Sequence, residues 1–404
     1  MAPSATTAAA AAARRLRGPL PDTRGAFRPS GVIGVEPTAE DEADFTTIID
    51  TALTPEQEER IRVPDAVYPQ QRSTLAVHWH PEFIPIPLVR ERMGRMFPGA
   101  EEELCIPTQH NELLALNGFS GVEADCWSEE FSQKIQLLAH FQTEKVAQAV
   151  TFRAMLEHTA DYRRTQLDCL LDALAGASQG GRRQLAQQAA ALCGADASCA
   201  AFAAAVARKL RTLIERHRGT MDRNSLKNKL VRNFLNRMRG RFDPAFIGRV
   251  QAYVNAVKAA VKAAFPSVYY FAAQEMIEEI RGLGGCIVIP HPEQFWPVLL
   301  AGYDVDGYEV WNPQSQRYTD FLISVTAEQN RNRRKNRREL LVFMGDDCHM
   351  GEKILPPTDQ DPLKAEREVG LQPAWGDLNL RKKLIADQAG RVCVIRRYTE
   401  RLSG

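Results

Sequence analysis

Between residues 74 and 142 short apolar runs alternate with turn residues. Thr74 to Val77 is a β-prone run that ends in His78-Trp79-His80. Leu88 to Phe97 carries helical spacing and stops at Pro98-Gly99. Leu104 to His110 and Gly121 to Asp125 read as strands, with Glu112 to Leu116 between them as a helical turn ending at Asn117-Gly118. Lys134 to His140 alternates so that Gln136, Leu138 and His140 share one face of a strand. From 143 to 280 the period changes to that of helices, broken at 176–181, 193–198, 218–220 and near Pro266. Strand character returns at Gly285–His291, Gly307–Trp311 and Leu340–Met344, the last running into Gly345-Asp-Asp-Cys-His349. Beyond 350 the pattern predicts an amphipathic piece at 378–387 and a strand at Arg391–Arg396. Residues 41–70 are acidic and polar around one ordered piece, Phe45–Asp50. Residues 1–40 are Ala-, Arg- and Pro-rich and read as a disordered tail rather than a transit peptide.

Composition adds bounds. A chain of 404 residues with 44% hydrophobic and 25% charged side chains can bury one large core or two ordinary ones. The net charge of +1 gives no global attraction to nucleic acid or membrane, and no apolar run approaches the ~20 residues a bilayer span needs. The eight cysteines form no CxxC pair; Cys193 and Cys199 read as free thiols, and a reducing cytoplasm is the simplest compartment. Charge is local. Residues 208–241 hold twelve Lys and Arg against Glu215 and Asp222, and read slightly better as a solvated helix face than as a phosphate-binding patch. Residues 330–338 add six more just before the Asp-Asp-Cys-His strand, either leaning toward an anionic substrate or forming a mobile surface loop.

The histidines change the picture most. Alternate residues of a strand point the same way, so His78 and His80 aim at one place. Six of the eight histidines (His78, His80, His110, His140, His291 and His349) lie at or near predicted strand ends, and only His158 and His217 lie in helices. Glu123 and Asp347 share the strand-end placement. Neutral imidazoles mixed with carboxylates suit zinc, manganese or iron better than magnesium or calcium. Trp79 alternates to the opposite face and is a packing residue. Glu309 reads as a buried structural partner, and Cys126 and Cys348 as small buried spacers.

The series His-x-His, a His at the next strand end, Gly-Val-Glu, His-Pro after an apolar strand, and Gly-Asp-Asp-Cys-His resembles the PHP (polymerase and histidinol phosphatase) superfamily over about 74–140 and 283–350. That resemblance implies an α/β fold, a distorted (β/α)7 barrel in two parts, 41–142 and 281–350. The large α-helical insertion at 143–280 would separate them, and 351–404 would be a C-terminal extension. It implies two or three divalent metal ions (Mn, Zn or Fe). His78, His80, Glu123 and Asp347 would hold the first, Glu123 would bridge to a second shared with His291, and His110 and His349 would hold a third. Asp347 and His349 would be catalytic. A bridging carboxylate keeps two cations roughly 3.5–4 Å apart, the spacing of two-metal phosphoester chemistry. The chain departs from the family at Gln136, where a His is usual; His140, farther along the same face, is the expected substitute. Glu82 is either a further ligand or a solvated loop carboxylate. The expected reaction is hydrolysis of a phosphate ester, on a phosphorylated small molecule or a nucleic acid, away from membranes, with protein partners left open. The alternative is a degenerate barrel whose basic helical insertion binds nucleic acid or a protein partner.

Overall fold

The computed structural model describes residues 33–176, 181–222, 225–333, 338–357 and 360–404. Most of the tail expected over 1–40, and parts of both basic stretches, lie outside the described residues. Helix α1 (Ala39–Ile49) starts in a capping box, with Thr38 and Asp41 each accepting from the other's backbone N–H. It takes in the piece expected at 45–50. Helix α2 (Pro55–Arg62) follows.

Strands β1 (Ser73–Ala76) and β2 (Trp79–His80) precede helix α3 (Ile86–Met96), close to the predicted positions. Then come β3 (Glu102–Cys105), β4 (Gln109–His110), β5 (Leu114–Leu116), β6 (Phe119–Ser128) and β7 (Gln133–Gln142). The helical turn expected at 112–116 is instead β5, paired antiparallel with β6. Asn117 and Gly118 both have positive φ (50° and 83°), the geometry of a two-residue hairpin turn, so this Asn-Gly joins two strands rather than stopping a helix.

The helical segment runs α4 (Val150–Ala175), α5 (Gly181–Cys193), α6 (Ala197–His217), α7 (Lys229–Met238), α8 (Pro244–Ala264) and α9 (Ala273–Gly282). Leu170, Phe202, Leu210, Phe234, Phe246 and Val257 form its apolar core, which Phe45 of α1 joins. After it come β8 (Cys286–Ile289), β9 (Gly307–Trp311), α10 (Thr319–Asn332), β10 (Leu341–Met344) and β11 (Cys348–His349). Helices α11 (Pro362–Ala365), α12 (Leu378–Ala386) and α13 (Arg391–Ser403) complete the chain. The strand expected at 391–396 is the first half of α13. Its β-branched residues misled the local reading, but Val394, Ile395, Tyr398 and Leu402 make a helical stripe buried against β-strand residues such as Leu75, Leu104 and Phe343.

The main sheet has the order β10-β9-β8-β7-β6-β4, with β5 on β6, and two small sheets pair β1 with β3 and β2 with β11. Among the described residues none closes on itself, so the expected distorted (β/α)7 barrel is not present as one closed sheet. There are two physical reasons. The tight β6–β7 connection makes β7 antiparallel to both neighbours. The ladder also breaks between β1 and β2 and between β10 and β11, where Asp347 takes φ +44°. Single backbone bonds cross the breaks: Ile106 N–H to Ala76 O (2.8 Å), Thr108 N–H to Trp79 O (2.9 Å) and Asp347 N–H to His78 O (2.8 Å). Most of the central strands are buried on both faces. On β6, Val122, Ala124 and Cys126 enter one apolar cluster, which leaves Gly121, Glu123 and Asp125 on the other face.

Candidate metal centre

Strand ends, and for Glu123 the middle of β6, bring the predicted ligands together. Asp347 Oδ1 lies 3.6 Å from His78 Nε2, 3.5 Å from His80 Nε2 and 3.5 Å from His349 Nε2. Glu123 Oε2 lies 3.5 Å from His80 Nε2 and 2.6 Å from His110 Nδ1, and Glu123 Oε1 lies 3.9 Å from His291 Nε2. His80, His110 and His349 form one group of ligand atoms within 4.8 Å of one another; His78, His80 and Glu123 form a second. Donor atoms about 2.1 Å from a tetrahedral ion sit roughly 3.4 Å apart, so spacings near 3.5 Å are those of a coordination shell.

Hydrogen bonding supports the same fit. His78 Nε2, both nitrogens of His80, His110 Nδ1, Glu123 Oε2 and His291 Nδ1 are buried with no hydrogen-bond partner. His110 Nδ1 and Glu123 Oε2 are close but not aligned for a hydrogen bond, so proximity does not satisfy them. Buried orphans on this scale are costly unless something else binds them.

The surrounding side chains set orientation. Glu309 Oε1 is 2.7 Å from His78 Nδ1, while its Oε2 accepts from the His291 backbone N–H (2.9 Å) and from Asn312 Nδ2 (3.2 Å). This is the structural partner expected of Glu309, and it leaves His78 Nε2 facing the cluster. Arg367 donates to Asp347 O (2.9 Å) and Oδ2 (2.5 Å), and Gln314 to Oδ2 (3.3 Å), so Oδ1 is the oxygen turned to the histidines. Glu82 stands behind His349, 3.3 Å from Nδ1, on the side away from Asp347. Glu82, Asn111, His291 and Asp347 all have positive φ, a concentration of uncommon backbone geometry around one site.

The protein's own charges divide the histidines. Burial opposes charging His78, but Glu309, Asp347 and Glu123 outweigh it and push its pKa up to about 10. Burial, reinforced by His349 and His110, holds His80 well below the ordinary value. Burial and then the Arg163 charge do the same to His110. His349 is raised: burial is outweighed by Asp347 and Glu82. Asp347 is held well below the usual carboxylate range, with its histidine neighbours overcoming burial.

His140 is not brought into this group. Its Nδ1 is 2.7 Å from the Tyr398 hydroxyl and its Nε2 2.9 Å from Val77 O, so both ring nitrogens are engaged beneath the site. Burial lowers its pKa to about 4. Gln136, which sits opposite Asp125 in the ladder, lines the cavity in front of the cluster.

Sequence reading missed three residues. Arg367 lies in a stretch with no motif. Asn111 and Asp125 form a buried pair: Asn111 donates to Asp125 Oδ2 (3.0 Å), and the Asp125 N–H donates to Asn111 Oδ1 (2.9 Å). Asp125 in turn binds Lys134 and, at 2.8 Å, Arg163 of α4. The available signal was period two: Asp125 is one pleat beyond Glu123 on the same face.

A cavity of about 1040 Å³ lies before the cluster, lined by His110, Glu123, His291, Asp347 and His349 on one side and by α4, α7 and α8 on the other. Its lining includes eight lysines and arginines against two carboxylates, Glu123 and Asp347. Part of the first basic stretch, Lys227 and Lys229, is therefore at the site rather than on a solvated face. Among the described residues of the second stretch, Arg331 and Arg338 are not. Arg338 pairs with Asp306 at the start of β9, and Arg331 with Glu328, at the opposite end of the strands from Asp347.

No protein-family model and no curated protein matches the chain. Among solved structures, that of a candidate metal-dependent phosphoesterase from Bifidobacterium adolescentis is similar over 78% of this chain and 96% of that one, at 16% identity and a TM-score of 0.38.

Proposed function

We propose that this protein is a metal-dependent phosphoesterase of the PHP type. The observation that carries the reading is the convergence of five histidines, Glu123 and Asp347 on one place where His78 Nε2, both His80 nitrogens, His110 Nδ1 and Glu123 Oε2 are buried without hydrogen-bond partners. The strand segments support it. The backbone bonds that bridge the breaks link 73–80 to 102–110 on one side and to 341–349 on the other, as a distorted seven-stranded ring would.

His78, His80, Glu123 and Asp347 would hold one divalent cation, and His110 and His349, with His80 and Glu123 beside them, a second. His291 would share Glu123. Such cations supply Lewis acidity and an activated water for attack on phosphorus. The chain's own residues do the rest. Arg367 fixes Asp347, Glu309 fixes His78, Glu82 orients His349, and the cationic wall holds the negative charge of the substrate. With His140 engaged elsewhere and Gln136 a poor ligand, the position that β7 serves in the family has no imidazole, and two cations fit this donor set better than three.

The test is elemental analysis of untagged protein, followed by a panel of phosphomonoesters and phosphodiesters. About two equivalents of Mn, Zn or Fe and hydrolysis that Asp347→Ala abolishes are expected. A metal-replete, fully active Asp347→Ala protein would sink the assignment.

A further inference from the structure

The cationic wall of the cavity holds more positive charge than one phosphate at the metal end needs. It is not one patch but three helices converging. Arg163 comes from the middle of α4. Lys227 and Lys229 flank the first turn of α7, which has no side-chain cap. Lys258 and Lys262 stand one turn apart on one face of α8. Some of this charge is already matched: Arg163 and Lys134 bind Asp125, and Lys229 binds Glu352. Lys262 stands among Lys134, Arg163 and Lys258, with Asp125, which Lys134 and Arg163 already bind, as the weaker opposing charge, and Arg232 acts on Lys258. Burial, followed by these like charges, lowers the pKa values of Lys258 and Lys262, and burial lowers that of Lys227 against the opposing pull of Glu82 and Glu112. Cations drawn together from separate helices into a half-enclosed space lose free energy by mutual repulsion unless an anion joins them.

We propose that the helical segment carries a phosphate subsite built from Arg163, Lys227, Lys258 and Lys262, and that the substrate is a compact molecule bearing a second phosphate besides the one that is cleaved. This rests on the reading of the metal centre as the reacting end. The cavity argues for a small molecule rather than a polymer. At about 1040 Å³ it matches the upper range of small-ligand pockets, roughly 300–1,000 Å³, and helices wall it opposite the strand ends. Arg163 and Lys227 line the cavity together with His110 and bear on it by charge, and Lys258 and Lys262 extend the positive lining along α8. A substrate phosphate held there would fix the orientation of the ester presented to the metal centre.

The test is calorimetric binding of inorganic pyrophosphate to the full-length protein, as purified and after chelation. Wild type should bind in both states. Lys258→Gln/Lys262→Gln should weaken binding by roughly tenfold or more, and Arg381→Gln/Lys382→Gln on exposed α12 should not. Lys258→Gln alone, with a smaller loss, serves if the double variant fails to fold. Pyrophosphate binding only in the metal-loaded state, or equal binding by wild type and the α8 variants, overturns the subsite. Subsite binding in a protein that takes up no metal and hydrolyses nothing would overturn the phosphoesterase reading and leave the subsite standing.

Discussion

At Gly345 a single methyl group would strike the carboxylate that orients the site. A Cβ there would overlap the Glu309 side chain, which fixes both His78 and the His291 backbone. Gly345→Ala should therefore weaken metal binding roughly 10–100-fold, as loss of a ligand's orienting partner generally does. Glu309→Gln, which keeps the shape and loses the charge, should fall between it and wild type. Metal titrations of the three proteins test this, and wild-type affinity in Gly345→Ala would show that Glu309 orients nothing. His140→Phe should behave in the opposite way. It leaves the Tyr398 hydroxyl and Val77 O without their partner, so stability should drop by about 1–3 kcal/mol while metal content stays at the wild-type value. Loss of a metal equivalent in that variant would return His140 to the ligand set.

At the scale of elements, α1 is tied to the helical segment by a buried charge. Asp41 accepts from Lys209 of α6 and, at 3.0 Å, from Arg241, and Asp41 and Lys209 are only 1% and 4% exposed. Asp41→Ala strands Lys209 and should cost about 3–5 kcal/mol, read from denaturant unfolding. The pH dependence has a definite sign. Burial raises the Asp41 pKa, but Lys209, Thr38 and Arg241 outweigh it, so the folded value is depressed. Its stabilisation is complete above the unfolded value near 4 and is lost as pH falls through the folded one. The gap between wild type and Asp41→Ala should therefore narrow below about pH 4, and a gap that widens there would contradict the ion pair. The same scale shows why α13 misled a local reading. Val392, Val394 and Ile395 favour a strand by propensity, but the stripe that continues to Tyr398 and Leu402 has a buried surface to cover, and tertiary packing overrides propensity.

At the scale of the whole molecule, the candidate ligands come from β2, β4, β6, β11 and the segments following β1, β8 and β10, and they meet only when the chain is folded. Metal should therefore bind the native state far better than the unfolded one, and chelation should lower the melting temperature. At a free metal concentration 100 times Kd the stabilisation is about 2.7 kcal/mol. Melting curves with chelator and with added Mn or Zn check this, and identical curves would argue against a metal centre. Arg163 to Asp125 and Lys229 to Glu352 tie the helical segment to the strand-bearing part at the cavity.

The sequence by itself determined most element positions and the candidate metal-binding residues. Period two and period 3.6 are local properties, and His78, His80, His110, Glu123, His291, Asp347 and His349 could be named because side-chain type and strand-end placement are written in the chain. Only the tertiary structure decided which of those atoms face one another. His140 has the right residue type on the right face, yet Val77 O and Tyr398, distant in sequence, take both its nitrogens. Arg367 has no local signature and acquires its role by meeting Asp347. Lys227 and Lys229 line the cavity while Arg331 and Arg338 stand at the far end of the strands, although all four read alike as basic runs. Partners far apart in sequence compete for each polar group, and the winner is set by which elements pack side by side in the fold, which no local pattern encodes.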